Sequence, residues 1–296
     1  MSFQQVIQTV FNSLQSIALY SLATFGITLV FRTSIATNYA QGVVATFGCY
    51  VSTHFALYYN VPLPLAIILG MLTAFFIGML IDVGIIRRGK GLNPGGKQIV
   101  TMGLLLVFTN LIPVTFSLIT TMTPASPNFS AQNFNFSILG LNLYWPIQSI
   151  ICTILAVVLL GTIFIALKYT KWGLGVRATA SNETVSQMMG INTRVITALS
   201  WAIASALATV SAVSMGTVLS PGMMGKIQIY GFLAIVLGGV TSFFAPVLGA
   251  IMIPLVMNFA AAFTSVWADA IVFSVVLIAI LIRPNGLFGK KMIKKV

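Results

Sequence analysis

Acidic side chains are almost absent from this chain, since Asp and Glu together number 3 among 296 residues and only 6% of residues are charged. Soluble domains carry about a quarter charged residues, so this composition excludes an ordinary water-facing surface. Hydrophobic residues make up 58% of the chain. They form long continuous runs, whereas the strands of a membrane barrel alternate apolar and polar residues. These features predict an all-α polytopic integral membrane protein of the cell (cytoplasmic) membrane, with residues 1–296 in a single domain.

Residues that build catalytic or metal centres are equally scarce. Cys49 and Cys152 both lie inside apolar runs, which is typical of small core residues rather than of a disulfide or a metal pair. The single histidine, His54, lies near the end of an apolar run. The net charge of +12 does not indicate nucleic acid, because the basic residues fall in short loops between apolar runs. We therefore expect no enzyme, no cofactor, no metal site and no nucleic-acid partner.

One stretch imitates a nucleotide-binding loop. The sequence "GLNPGGKQ" at 91–98 contains most of the G-x-x-x-x-G-K pattern. Gln98 stands where that pattern requires Ser or Thr to hold magnesium, and apolar runs flank the stretch on both sides. We interpret it as a flexible basic loop.

The apolar runs define the predicted spans, since a transmembrane helix needs about 20 mostly apolar residues. The predicted segments are 6–30, 38–58, 62–86, 98–120, 146–167, 195–219, 228–244, 246–265 and 267–283. This gives about 8–9 transmembrane helices, some of them broken or re-entrant, and the two segments between 228 and 265 could be half-helices. Pro246 and Pro254 favour such broken or kinked helices.

Basic loops set the predicted orientation, because Lys and Arg concentrate on the cytoplasmic side. The cytoplasmic loops are then 87–97, the insert 168–194 and the end of the chain from Arg283. The stretch 121–145 has no charged residue and is predicted to be extracytoplasmic, with the N-terminus also outside.

The polar insert predicts a short cytoplasmic helix. Ser181 or Asn182 can cap its start, and Gly190 fits the position just after its end. Val185, Met188 and Met189 lie at i, i+3 and i+4 and so form one apolar face. A helix of about two turns is unstable alone in water, so this face needs a surface to cover it. Its own bundle, lipid and a cytoplasmic partner are all open at this point.

Four stretches in order resemble one family, the permeases of ABC importers for branched-chain amino acids. They are "TNYAQGVVATFGCYV" (37–51), "GLGVRATASNETVSQMMGIN" (173–192), "FLAIVLGGVTSFFAPVLGA" (232–250) and "LIRPNGLFGKK" (281–291). The resemblance implies a permease subunit that works with cytoplasmic ABC ATPase subunits, a second permease subunit (in a hetero- or homodimer) and an extracytoplasmic solute-binding protein. It also implies that ATP is hydrolysed in the partner subunits.

The resemblance assigns the insert to ATPase coupling. The residues it implies there are Gly175, Arg177, Glu183, Val185, Met188, Met189, Gly190, Ile191 and Asn192. Tyr39 and Gln41 depart from the family's usual Phe and His, and 243–245 is also atypical. Since these departures lie where the family's helices break, they leave open a related permease for urea, an aromatic amino acid, a sugar or a nucleoside.

Buried amides and hydroxyls are costly in a membrane unless they meet protein or water. On this argument we predict a translocation pathway lined by Asn38, Tyr39, Gln41 and Gly42, with a helix break at Gly42. Secondary candidates are Asn110, Asn258 and Asp269. Hydrogen bonding between helices is an equal alternative for the 38–42 group. An ion-coupled transporter would show paired intramembrane charges, and the predicted span centres contain none.

Overall fold

The computed structural model describes residues 2–89, 93–116, 132–138, 141–216 and 219–289. Its elements follow in chain order: α1 Phe3–Ser34, α2 Gln41–Tyr58, α3 Leu63–Leu80 with a π-helical continuation Ile81–Ile86, α4 Pro94–Thr115, β1 Asn133–Ile138, β2 Leu141–Pro146, α5 Ile147–Tyr169, α6 Lys171–Ser181, α7 Glu183–Met188, α8 Thr193–Ser214, α9 Gly225–Gly238, α10 Ala245–Phe263 and α11 Ala268–Ile282. The predicted α-helical membrane architecture is confirmed.

Within these described residues, six helices are long and apolar enough to cross a membrane: α1, α3 with its continuation, α4, α5, α8 and α10. Two further apolar helices are shorter, α9 with 14 residues and α11 with 15. The predicted half-helix at 228–244 corresponds to α9, but 246–265 is the full-length α10. The predicted span 267–283 is the short α11. Residues 117–120 of the predicted span 98–120 lie outside the described residues.

The predicted helix breaks need two corrections. Pro246 lies in the first turn of α10, where its missing N–H costs nothing, and Pro254 lies inside the same continuous helix. The break near α2 falls before Gln41 rather than at Gly42, because Gly42 is already in the first turn of that helix. The non-helical backbone is therefore 35–40, between α1 and α2.

Helix α8 lies at the centre of the bundle and packs against α1, α2 and α3. Its small residues are buried at four-residue spacing: Ser200, Ala204, Ala208 and Ala212. Gly78 of α3 faces this helix, and a Cβ there would lie 2.6 Å from the Trp201 carbonyl oxygen. The small-residue stripes thus allow close backbone approach, as their spacing predicted.

Residues 133–138 and 141–146 pair as the antiparallel hairpin β1–β2, in part of the segment predicted to be extracytoplasmic. Phe11 of α1 packs edge-on against Phe136 and Trp145, with ring centroids 5.5 and 5.2 Å away. The Gln8 side-chain amide donates to the Tyr144 carbonyl at 2.8 Å. The hairpin is therefore fixed to one end of α1, while residues 117–131, 139 and 140 lie outside the described residues.

The segment after α11 returns to the end of α9. Gly239 and Gly286 both have positive φ, +108° and +82°, which favours glycine. The Leu287 amide donates to the Leu237 carbonyl at 2.8 Å, and the Phe288 amide donates to the Gly238 carbonyl at 3.1 Å. These bonds satisfy carbonyls that the end of α9 would otherwise leave unpaired.

Candidate functional site

The polar insert forms two helices, α6 and α7, where the sequence predicted one. Thr170 caps α6 by accepting a hydrogen bond from the Gly173 amide at 3.0 Å. Gly173 packs directly on the backbone of α5, because a Cβ there would overlap the Ala166 carbonyl. Gly175 faces α8, and a Cβ there would lie 2.8 Å from Ile196 Cδ1. The first helix of the insert is therefore held tightly between α5 and α8.

The second helix, α7, begins and ends as its sequence predicted. Asn182 is the cap, since its Oδ1 accepts from the Val185 amide at 3.0 Å, and Gly190 has φ +81° just after the helix. Ser186 is buried on the inner side. The Gln187 side-chain amide donates to Thr193 Oγ1 at 2.9 Å. This bond ties α7 to the first residue of α8.

The outer side of α7 carries the predicted apolar face, and it is open. Val185 is 52% exposed, Met188 80% and Met189 78%. No described part of this chain covers these three side chains. An apolar face of this kind on a polar insert is typical of a contact with another surface.

The other residues assigned to coupling divide into two groups. Arg177, Gly190 and Asn192 are exposed, and Asn192 also caps α8 by accepting from the Val195 amide at 3.3 Å. Glu183 lies in the first turn of α7. Gly175 is buried and Ile191 packs into the apolar core. The last two residues support the insert from inside.

An ion pair at the end of α3 is hydrogen-bonded to the start of α8. The Arg87 guanidinium pairs with the Asp82 carboxylate and also donates to the Arg194 carbonyl. The Thr197 hydroxyl donates to the same carboxylate at 3.3 Å. The start of α8 and the end of α3 are therefore held together by side chains.

The 38–42 group gathers around non-helical backbone inside the bundle. Asn38 and Gln41 are buried, and Tyr39 is partly buried with its ring 5.2 Å from that of Phe232. Asn38 Oδ1 accepts from the Ala40 amide at 3.0 Å. Gln41 Nε2 donates to the Ala23 carbonyl at 3.1 Å, while its Oε1 has no partner among the described residues.

Gln228 of α9 completes this group, and sequence reasoning missed it. Its Nε2 donates to the carbonyls of Asn38 and Tyr39, at 3.0 and 2.7 Å. Its Oε1 accepts from the Gly42 amide at 2.8 Å. A buried glutamine within the apolar α9 is the signal that could have found it, since such a group requires polar partners. One side chain thus satisfies three backbone groups freed by the break.

The secondary pathway candidates lie apart from this group. Asn110 is on an exposed face of α4 and donates to the Leu106 carbonyl of its own helix at 2.8 Å. Asn258 lies on α10, and its buried Nδ2 has no partner in the described part of the chain. Among the described residues, neither asparagine is therefore hydrogen-bonded to the 38–42 group.

Asp269 forms a second polar cluster, with residues of α9. Its Oδ2 accepts from Lys226 Nζ at 2.9 Å, and its Oδ1 accepts from the Tyr230 hydroxyl at 2.6 Å. Lys226 falls between two predicted segments and Asp269 opens the last one, so the pair leaves the prediction for the span centres untouched. The partner of Asp269 becomes visible only when α9 and α11 lie side by side.

Comparisons with known proteins agree over almost the whole chain. The sequence model of the family described as branched-chain amino acid transport system / permease component matches residues 9–281. The chain is 26% identical over 305 residues to the high-affinity branched-chain amino acid transport system permease protein BraD of Pseudomonas aeruginosa, covering 98% of each protein. It is 26% identical over 314 residues to the corresponding permease protein LivH of Escherichia coli K12, covering 99% of each.

A solved structure has the same fold. PsaBC from Streptococcus pneumoniae in complex with Fab superposes with a TM-score of 0.55 at 13% identity, covering 95% of this chain and 92% of that chain.

Proposed function

Because this chain belongs to the branched-chain amino acid transport system permease family, we propose that it is the membrane-spanning permease subunit of an ATP-driven importer for branched-chain amino acids. The observation that carries the proposal is the match over residues 9–281, which includes both the break before α2 and the α6–α7 insert. The named functions of BraD and LivH support the solute class.

Energy enters this subunit through contact with another protein. The loop 91–98 lacks the Ser or Thr of a P-loop, so ATP is hydrolysed in cytoplasmic ABC ATPase partners. The exposed face of α7, formed by Val185, Met188 and Met189, docks in a groove of the ATPase. Methionine side chains suit such a contact because they are flexible and polarizable.

Movement of α7 reaches the membrane through its attachments. The Gln187–Thr193 hydrogen bond joins α7 to α8. The hydrogen bonds from Arg87 to the Arg194 carbonyl and from Thr197 to Asp82 join α8 to the end of α3. Since α8 packs against α1, α2 and α3, a shift of the insert tilts the centre of the bundle. That tilt opens the pathway alternately to each side.

The pathway lies between this chain and a second permease subunit, and the tilt of the bundle opens it towards the 38–42 group. An extracytoplasmic solute-binding protein delivers the amino acid at the hairpin end of the bundle. Gln41 Oε1 is buried without a partner among the described residues. This supports a weakly polar lining, because such an atom is costly until a movement of the bundle brings water or solute to it.

The test is uptake of labelled leucine by cells with and without this chain. We expect loss of ATP-dependent uptake on deletion, and competition by unlabelled isoleucine and valine in intact cells. Competition only by urea, phenylalanine, ribose or adenosine would instead assign a related solute. Uptake that followed a proton or sodium gradient without ATP would contradict the importer proposal.

A further inference from the structure

Lys226 and Asp269 are the only charged residues between Val195 and Ile282. Although they are far apart in the sequence, their side chains meet, with Lys226 Nζ 2.9 Å from Asp269 Oδ2. Helices α9 and α11 run in parallel here, since Tyr230 stacks on Phe273 one turn further along both helices. The two charges of this region are thus brought together by the fold.

The depth of the ion pair in the membrane can be measured along α1, because this helix crosses from one membrane interface to the other. Phe11 packs on Trp145 at the hairpin end, and the Arg32 guanidinium lies 4.4 Å from the Phe243 ring at the insert end. Aromatic and basic residues of this kind mark the two interfaces. Phe11 and Arg32 are about 31 Å apart along the helix, which matches the thickness of the hydrocarbon core.

Tyr20 of α1 gives the level of the neighbouring part of α9. Its ring centroid lies 5.8 Å from that of Tyr230, whose hydroxyl donates to Asp269. Tyr20 is about 13 Å along α1 from Phe11. Lys226 and Asp269 each lie one helical turn before the Tyr230–Phe273 stack, on its hairpin side. The pair is therefore inside the hydrocarbon zone, about 10 Å from its hairpin-side boundary.

At this depth the side chains of both residues are nevertheless exposed. The Lys226 side chain is 54% exposed and that of Asp269 49% exposed. Ionised groups in contact with lipid tails are costly, and such residues face a water-filled cavity or a polar partner. The exposed side of α9 and α11 is therefore not a lipid-facing surface.

Both charged groups have unused hydrogen-bonding capacity. Within the described residues, Lys226 uses one of its three donors, and the Asp269 carboxylate accepts two hydrogen bonds where it can accept about four. Exposed apolar side chains flank the pair, Ile229 on α9 and Phe273 on α11. The cluster offers a cation, an anion and an apolar surface next to each other.

We propose that the Lys226–Asp269 pair lines the water-filled passage shared with the second permease subunit and there binds the zwitterionic head group of a free amino acid. Lys226 receives the carboxylate and Asp269 the ammonium group, while the side chain lies against Ile229 and Phe273. This inference rests on the proposed function and adds the solute-contacting residues.

The ion pair suits a transient site. In a water-filled passage an ion pair is weak. The carboxylate and ammonium groups of a zwitterion can therefore replace the contact between Lys226 and Asp269 at little cost in free energy. Since the pair is neutral overall, it adds no net charge to the empty passage.

The first experiment measures water access in the complete transporter, with cysteines introduced as Lys226→Cys and Phe273→Cys. The matched control is Ile154→Cys, an exposed position of α5 at a similar depth, on a surface without charges. Thiolates react and thiols in lipid do not, so an impermeant methanethiosulfonate added outside should label positions 226 and 273 about tenfold faster than 154. Equal, background labelling at all three positions would overturn the wet passage.

The second experiment tests the ligand, using Phe273→Cys with the ion pair intact. Leucine should slow labelling at 273, whereas leucinamide and 4-methylpentanoate, which each lack one of the two charges, should protect about tenfold less well. Equal protection by all three compounds, or none by leucine, would overturn zwitterion binding.

Leucine uptake by the unaltered transporter is measured in parallel, so that failure of zwitterion binding can be distinguished from failure of the proposed function. Uptake without protection at 273 contradicts only this inference. Absence of leucine uptake contradicts the proposed function itself.

Discussion

The side chain of Gln228 accepts a hydrogen bond from the backbone amide of Gly42 at 2.8 Å, and so joins α9 to the first turn of α2. A Cβ on Gly42 would overlap this side chain. The same glutamine holds the carbonyls of Asn38 and Tyr39. The break in the helical backbone is therefore stabilised by a residue from a distant part of the chain.

Replacing this glutamine should destabilise the bundle. Gln228→Leu leaves three buried backbone groups without a partner, which costs about 3 kcal/mol or more, so we expect a clearly lower unfolding temperature in detergent. Gln4→Leu is the control, because its side-chain amide donates to the Asn142 carbonyl at the exposed surface. Equal unfolding temperatures for the two variants would show that Gln228 does not support the break.

The two polar side chains beside the break should respond differently. Gln41→Ala removes a side chain whose Oε1 is free, so we expect lost uptake with intact ATPase stimulation by the binding protein. Asn38→Ala removes the acceptor of the Ala40 amide, so we expect reduced membrane yield as well. Unchanged uptake in Gln41→Ala would remove this residue from the pathway.

The docking role of α7 can be tested by charge. The double change Met188→Asp and Met189→Asp places two carboxylates in an apolar contact, and we expect loss of ATPase co-purification and of uptake. Both side chains are exposed, so membrane yield should stay normal. The matched control is Met188→Leu with Met189→Leu, which keeps the face apolar. Retention of the ATPase by the aspartate variant would contradict docking at α7.

The predicted orientation is tested by labelling from outside. Asn135→Cys in the hairpin and Ser181→Cys at the end of α6 are both exposed positions. An impermeant thiol reagent should label the first in intact cells and the second only after lysis, because basic loops stay cytoplasmic. Labelling of position 181 in intact cells would reverse the topology.

Local features of the chain were predictable from its sequence. The long apolar runs predicted the spans, and Asn182 and Gly190 set the limits of α7 because capping depends on neighbouring residues alone. The small-residue stripe in α8 predicted close packing for the same reason. The apolar face of α7 was also predictable, although what covers it was not.

Features that depend on tertiary contacts were not predictable. The hairpin was not predicted, because "NFNFSI" lies in an uncharged segment that was assigned only to the extracytoplasmic side. The position of its aromatic rings depends on a contact with Phe11 of α1. The pairing of Lys226 with Asp269, and of Gln228 with Gly42, depends on how α9 lies against α11 and α2. Hydropathy also cannot distinguish a full span from the short α9, since both are apolar.

The return of residues 285–289 to the end of α9 has a consequence for biosynthesis. The carbonyls of Leu237 and Gly238 are bonded by the amides of Leu287 and Phe288, which leave the ribosome after α10 and α11 have been made. Because chains fold progressively from the N-terminal side during synthesis, α9 enters the membrane before its own end is fully hydrogen-bonded. Translation of 285–289 therefore sets the time at which this part of the bundle is completed.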